Sequence, residues 1–338
     1  MTHQWVSMHI FYYSNPERMM TDCLGPLVQN LREQGLIQRF FFIRYWMEGM
    51  HIRFRLLPAE GVEPAAVKEH LEPAVISYLQ RCPALSDPTN TLLPEYYRTF
   101  FLGEYGEKKW HETYGADGIM PTRPNNSFAY IAYEPEYHHY GGSSGVELAE
   151  WHFEQSSALI MKLFSGGNAH LRTIKLGLSF RLSLPFYCEF LGDPQVIVDY
   201  LAISIQRWSQ SFAIGSTFEI YEKKYRRMAP SLHQCISQIH TYITRRKDEG
   251  LTPLEREWID HIHELRQRLD LLITGREIIF PGQEHIFEQG AIYRQLLSRY
   301  IHMTNNRLGV TIPDEIYVAY LLTCSLNNRA LPPQERTV

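Results

Sequence analysis

The sequence has no stretch of about 18 uncharged apolar residues: its strongest apolar run, Phe40 to Trp46, is interrupted by Arg44. A helical membrane span is therefore excluded. A basic start followed by an apolar segment is also missing, because the chain opens Met-Thr-His-Gln-Trp; no secretory signal is expected, which points to the cytoplasm. Cysteine is sparse, with five residues (Cys23, Cys82, Cys188, Cys235, Cys324) at wide spacing and no C-x-x-C. An odd, scattered set argues against a disulfide framework and against a thiolate zinc site. Charge of one sign is not in large excess: the formal net charge is −4, which gives no general electrostatic reason to bind nucleic acid. There is no Gly-rich dinucleotide fingerprint, no P-loop, no internal repeat and no low-complexity tract. His261-Ile262-His263 and the pair His233 and His240 make no persuasive ligand set. Neither a metal nor a cofactor is expected.

What is present is an ordinary globular composition: 338 residues, 44% hydrophobic, 21% charged and 13% aromatic. That is enough chain for a sizeable core and too apolar for disorder. Fifteen histidines and 21 tyrosines supply many groups able to hydrogen-bond or move protons near neutral pH.

The pattern predicts an α+β fold: a mixed or antiparallel N-terminal sheet with flanking helices, followed by a mostly helical C-terminal half. We expect a single domain over 1–330, sheet-rich over 1–142 and helix-rich over 143–330. Trp5–Tyr13 reads as a strand, Met19–Gln34 as a helix stopping before Gly35, and Phe40–Trp46 and His51–Leu57 as a hairpin turning at Glu48-Gly49. Pro64–Gln80 is a helix, Tyr96 to Tyr105 a candidate strand, and Phe128–Glu134 a clearer one. Ser144-Gly145-Val146-Glu147 has the form of a capping box and predicts a long helix starting near 145. Further helices are expected near 195–212, 230–247, 252–273, 287–303 and 314–326.

Three segments could carry chemistry. In His51-Ile52-Arg53-Phe54-Arg55-Leu56, alternation sends His51, Arg53 and Arg55 to one face of a strand and the apolar residues to the other. The two arginines rise about 7 Å apart at their roots and suit an anion, since each guanidinium can offer a bidentate fork to a carboxylate. The alternative is a solvated sheet face. In Tyr137-His138-His139-Tyr140-Gly141-Gly142, two glycines precede a helix start, where free N–H groups attract anions; the alternative is a plain strand-to-helix turn with surface histidines. In Tyr300-Ile301-His302-Met303-Thr304-Asn305-Asn306-Arg307, a helix from about Phe287 would end at Asn305 or Asn306, with His302 and Arg307 near the negative end of its dipole. As an isolated feature this also reads as helix capping.

Together the segments resemble a known family. Phe41-Phe42-Ile43-Arg44-Tyr45-Trp46 followed by His51-Ile52-Arg53-Phe54-Arg55 is similar to a hallmark of the lantibiotic dehydratase C-terminal, or thiopeptide-type bacteriocin biosynthesis, domain. So are Tyr133-Glu134-Pro135-Glu136, Tyr140-Gly141-Gly142 with Glu147-Leu148-Ala149-Glu150, and His302-Met303-Thr304-Asn305-Asn306-Arg307-Leu308. The order agrees from Trp5 to about Leu326. The resemblance implies a lyase that expels glutamate from glutamylated Ser or Thr of a ribosomally made precursor peptide, leaving dehydroalanine or dehydrobutyrine. It implies catalytic roles for Arg53, Arg55 and His302, and substrate contacts from Arg44, His51, His139, Tyr140 and Arg307, in a cleft between the sheet and the C-terminal helices. It also implies two partners besides the peptide: a tRNA-dependent glutamylating subunit, carrying the part absent from this chain, and a second copy of the protein. A related branch of the fold instead closes the pyridine ring of thiopeptides, and a non-catalytic peptide-docking subunit is a third reading. One residue departs from the pattern: His139 stands where the family has arginine before Tyr-Gly-Gly, and imidazole cannot supply the guanidinium fork.

Overall fold

The computed structural model describes residues 4–86, 94–115, 118–211 and 218–327. The chain divides into two compact units, Met1–Pro135 with Ser156–His170, and Glu136–Gln155 with Leu171–Val338.

The first unit is built on four strands, β1 (Val6–Phe11), β2 (Ile37–Tyr45), β3 (His51–Pro58) and β4 (Ser127–Tyr130), in the order β2-β3-β1-β4 with every pairing antiparallel. Alternation divides the residues between two faces. Val6, Met8 and Ile10 share one face with Ile52, Phe54, Leu56, Phe40 and Phe42, all buried. Against this face lie α2 (Gly25–Glu33), reached through α1 (Glu17–Met19) and a π turn (Met20–Leu24), and α3 (Pro64–Arg81), through Leu27, Leu31, Val67, Leu71 and Val75. The β2 edge is blocked: the Phe42 N–H donates to Ser157 Oγ at 3.2 Å, so part of the strand that would otherwise invite another chain is satisfied internally.

The β2–β3 hairpin forms as expected. The Gly49 N–H bonds back to the Trp46 carbonyl at 3.0 Å, with Glu48 and Gly49 at φ 59° and 112°. Glycine is required at 49, because a Cβ there would lie 1.9 Å from the Tyr13 hydroxyl. The segment Tyr96–Tyr105 is not a strand but part of α4 (Pro94–Tyr114), which breaks at Gly106 (φ 77°). Its aromatics have high strand propensity, yet Tyr97 and Phe101 are four residues apart and enter a cluster with Trp110, Met120 and the partly buried Trp46. Packing overrides propensity here. Strand β4 ends at Tyr130, four residues short of expectation; its register with β1 runs from Met8 to Phe11, and one further backbone bond joins the Ile131 N–H to the Ser7 carbonyl at 3.2 Å. The turn-rich passage around Pro88 lies outside the described residues.

The second unit is helical. After α5 (Tyr137–Tyr140), α6 (Gly142–Ser165) carries the chain out of this unit and into the first. Then follow α7 (Arg172–Phe190), α8 (Pro194–Ser211), α9 (Phe218–Arg245), α10 (Pro253–Thr274), α11 (Gln289–Leu308) and α12 (Ile312–Asn327). Position 212, the expected end of α8, lies outside the described residues. Helix α7 touches α8 through α12 and buries Phe180, Leu182, Leu184, Phe186 and Phe190. Enclosure on most sides gives it no single apolar stripe and Pro185 lies inside it, so its pattern carried no helical signal.

The box expected at Ser144 and Glu147 does not form. Helix α6 already starts at Gly142, and the Ser144 hydroxyl donates to Glu277 at 2.9 Å. A true capping box opens α10, where Thr252 and Glu255 bond each other's backbone N–H. Helix α11 runs past Asn305 and Asn306 to Leu308, and Gly309 takes the left-handed terminal position (φ 77°). Glycine adopts that conformation at lower cost than asparagine.

Candidate functional site

The strand register sets the chemistry of the sheet's second face. Three cross-strand rows lie there: Phe41, Arg55 and Ser7; Ile43, Arg53 and His9; Tyr45, His51 and Phe11. The expected grouping of His51, Arg53 and Arg55 is thus present, but this is not a solvated face. His51 and His9 are 5% exposed and Arg55 only 7%. The Arg55 guanidinium lies 4.0 Å from the Tyr133 ring centroid and 5.1 Å from that of Phe41. That of Arg53 is 3.4 Å from the Tyr45 centroid, and its Nε–H points at His51 Nε2 at 3.4 Å.

His51 donates its Nδ1 proton to the Gly49 carbonyl at 2.7 Å, which leaves Nε2 as the acceptor facing Arg53. Burial pushes the His51 pKa down to about 4; the Gly49 hydrogen bond opposes this, while Arg53, Arg123 and Arg55 add to it. His9, stacked on His51 with ring centroids 5.0 Å apart, is pushed down to about 2 by burial, by His51 and by the same arginines. Both imidazoles are neutral near pH 7, so positive charge on this face belongs to the arginines. Among the described residues Arg53 has aromatic and imidazole partners and no acidic one. A guanidinium resting on rings keeps most of its field for an incoming anion. Beside Arg55, the Tyr133 ring also lines a groove of about 500 Å³ with Trp5, Ser7, Lys68 and Tyr130.

Arg44, expected as a substrate contact, projects from the opposite, helix-covered face. It pairs with Glu17 at 3.6 Å and lies over the Phe164 ring; burial lowers its pKa to about 10 against the pull of Glu17. Its place in the register, next to Ile52 rather than Arg53, makes it an interior anchor.

In the second unit, the remaining expected residues separate into two groups. Tyr140 and Arg307 are interior. Tyr140, 5% exposed, stacks with Tyr300 and meets Phe153 edge-on, and Arg307, 0% exposed, lies over Phe153 and donates to the Met303 carbonyl at 2.7 Å. His139 and His302 are partly exposed. His302 Nδ1 lies 2.9 Å from Glu315 Oε1 and its ring 5.5 Å from that of Trp208. A carboxylate acceptor at Nδ1 fixes the tautomer, with the proton on Nδ1 and the basic lone pair on Nε2. Burial raises the Glu315 pKa, opposed by His302 and Asn305. Glu315 and Trp208 also line a cavity of about 50 Å³ with Tyr187, Tyr200 and Asn305. His139 Nδ1 faces the Arg299 guanidinium at 3.2 Å. Burial lowers the His139 pKa, and Arg299 and His138 add to that against Glu136.

Sequence reasoning missed Glu315 and Arg299, which reach the histidines from separate turns or helices. It also missed a buried pair: His152 Nδ1 and His261 Nε2 are 2.9 Å apart, with Thr304 Oγ1 at 3.4 Å from His152 Nε2. A single histidine inside a helix has no local signature, so only tertiary contact identifies it. Among the described residues, no group of three His, Cys, Asp or Glu side chains is placed to hold a metal ion, and no helix is long and apolar enough to cross a membrane.

This architecture occurs in several solved structures. The pyridine synthase TbtD from thiomuracin biosynthesis superposes with a TM-score of 0.69 at 17% identity, covering 96% of this chain and 98% of that one. TsrL gives 0.63 at 16% identity, covering 97% and 96%. The tRNA-dependent lantibiotic dehydratase MibB from Microbispora sp. 107891 gives 0.53 at 17% identity, covering 97% of this chain and 28% of that much longer one. At such identities the likeness establishes a shared fold. No curated protein is a significant sequence match. The family model for the lantibiotic biosynthesis dehydratase C-terminal domain matches residues 5–326, and the chain belongs to that family.

Proposed function

We propose that the protein is a lyase that removes glutamate from glutamylated Ser or Thr residues of a precursor peptide. A base takes the α-proton, the Cα–Cβ double bond forms as the Cβ–O bond breaks, and glutamate leaves with the electron pair as a carboxylate. Negative charge grows on the amide oxygen and on the departing group, so the reaction needs fixed positive charge with little competing acid nearby. The observation that carries the reading is Arg53: a guanidinium held on Tyr45 and His51 with no acidic partner among the described residues, on the same strand face as Arg55. His302, with Nδ1 facing Glu315, serves as the proton-transfer group through Nε2. The groove beside Arg55, about 500 Å³ and lined by aromatic and hydroxyl side chains, has the size and character to receive part of a peptide. The partners of this reaction are the precursor peptide and a tRNA-dependent glutamylating subunit; the likeness to a domain of MibB supports that setting.

A second reading is formation of a pyridine ring from two dehydroalanines. TbtD and TsrL match this chain over nearly their whole lengths, and TbtD is a pyridine synthase. His139 in place of the family arginine fits an enzyme with no glutamate to anchor.

Mass spectrometry separates them. Incubated with a glutamylated peptide, the lyase releases glutamate and leaves each modified residue one water lighter than the original Ser or Thr. A ring-forming enzyme leaves that ester intact and releases a leader fragment from a peptide already containing dehydroalanines. A subunit that only docks the peptide changes no mass in either assay.

A further inference from the structure

We propose that Arg299, together with His139, forms a binding site for a carboxylate of the substrate on the same helix face as His302. On α11, Gln295, Arg299, His302 and Asn306 are spaced by four, three and four residues and form a partly exposed polar stripe, so neighbours along it have Cβ atoms about 5–6 Å apart. The Arg299 guanidinium donates from Nη1 to the Gln295 carbonyl at 2.6 Å and from Nη2 to His139 Nδ1 at 3.2 Å. Neither acceptor carries negative charge. Glu136 acts on Arg299 only from beyond the 4.0 Å of an ion pair, and among the described residues no other carboxylate pairs with it. Two uncharged acceptors fix the plane of a half-buried cation without neutralising it, which preorganises its remaining N–H groups for an anion.

The sequence departure at His139 gains a reason from this geometry. Imidazole at 139 accepts from a guanidinium that arrives from α11, so positive charge is present at this position although residue 139 does not supply it. Burial and the neighbouring Arg299 both disfavour the His139 imidazolium, and the site's charge is that of Arg299. Carboxylate is the class it suits, since the planar fork matches two oxygens of one group. The assignment of that carboxylate to glutamate rests on the lyase reading; the site itself does not.

The test titrates the full chain with L-glutamate, using L-glutamine as the control of nearly equal shape and lower charge, followed by calorimetry or ligand-observed NMR. The wild type is expected to prefer glutamate at least about tenfold, and Arg299→Gln to abolish that preference, on the scale of a lost charge-assisted hydrogen bond. A wild type without preference, or Arg299→Gln with the wild-type preference, overturns the proposal. Should Arg299→Gln fail to fold by circular dichroism, Arg299→Lys carries the test. It keeps the charge and loses the fork, so glutamate affinity falls several-fold with glutamine unchanged; unaltered glutamate affinity overturns the site. Elimination from a glutamylated peptide is measured separately. Intact glutamate preference with no elimination rejects the lyase reading and leaves the site standing, whereas elimination with no role for Arg299 in binding rejects the site alone.

Discussion

Arg53 holds its guanidinium 3.4 Å from the centre of the Tyr45 ring while its Nε–H points at the neutral His51. The two partners orient the cation without quenching it, as a glutamate or aspartate would. On the lyase reading, Arg53→Ala lowers kcat/KM for elimination by about 10²–10³-fold, the usual cost of removing one fixed electrostatic contact. Arg53→Lys recovers part of it, since charge survives but the planar fork does not. Arg53 is partly exposed, so the melting temperature of either variant stays close to that of the wild type. Near-wild-type turnover in Arg53→Ala eliminates this residue from the reaction.

His302 and Glu315 form the second relationship, with 2.9 Å between Nδ1 and Oε1. His302→Ala is expected to cost about 10²–10⁴ in kcat, the range for a well-placed acid or base. Glu315→Gln retains an acceptor for the Nδ1 proton but removes the charge that stabilises an imidazolium, and costs on the order of tenfold or more. Glu315→Leu removes both and approaches the His302→Ala value. Single-turnover kinetics on a glutamylated peptide make the comparison; equal rates for the three variants and the wild type reject the pair as proton-transfer machinery.

Local pattern exposed some of this chemistry and hid the rest. Alternation placed His51, Arg53 and Arg55 on one strand face, because a period of two is imposed by the backbone. The same rule, applied across the hairpin, sends Arg44 to the other face, next to Ile52; that step needed the register, which the turn at Glu48 and Gly49 sets. Glu315, Arg299 and His152 become meaningful only through contacts with His302, His139 and His261, made between helices or across long stretches of chain. The strand expected over Tyr96–Tyr105 gives way to helix α4 for a related reason. The aromatics of Tyr97 and Phe101 say only that this segment is buried on one side, and their partners Trp46 and Trp110 decide that it is a helix.

The buried histidines predict loss of stability in acid. Folding lowers the pKa to about 4 for His51, about 2 for His9 and about 3 for His261, and lowers that of His152, in every case through burial first. Their unfolded values are near 6.5. Above that pH neither state binds the protons and the contribution is fully present. Below it the unfolded chain takes up protons that the native state refuses, so stability falls with pH until each folded value is reached. Each such group adds a slope of about 1.4 kcal/mol per pH unit well below 6.5. Urea unfolding at pH 7, 6 and 5 measures it. His261→Phe should reduce the slope between pH 6 and 5 relative to the wild type, and an unchanged slope contradicts a neutral, buried His152–His261 pair.

The hairpin that presents Arg53 depends on one close approach. Gly49 has φ 112°, and a Cβ there would lie 1.9 Å from the Tyr13 hydroxyl and 2.7 Å from its Cζ. Tyr13 is itself held, its hydroxyl donating to the Arg123 carbonyl at 2.8 Å and its backbone N–H to Asn125 Oδ1 at 2.9 Å, so the ring cannot simply move aside. Gly49→Ala therefore combines an unfavourable backbone conformation with overpacking and is expected to destabilise by about 2–5 kcal/mol. Because the Gly49 carbonyl also receives the His51 Nδ1 proton, distortion at 49 loosens the imidazole that orients Arg53, and elimination falls along with stability. Removing the ring tests the cause. Tyr13→Phe relieves only the hydroxyl contact and rescues little, whereas Tyr13→Ala in the Gly49→Ala background removes the clash and leaves only the strain of φ. A double-mutant cycle then gives a favourable coupling of more than about 1 kcal/mol. Additive effects of the two substitutions would mean that the ring does not dictate glycine at this turn.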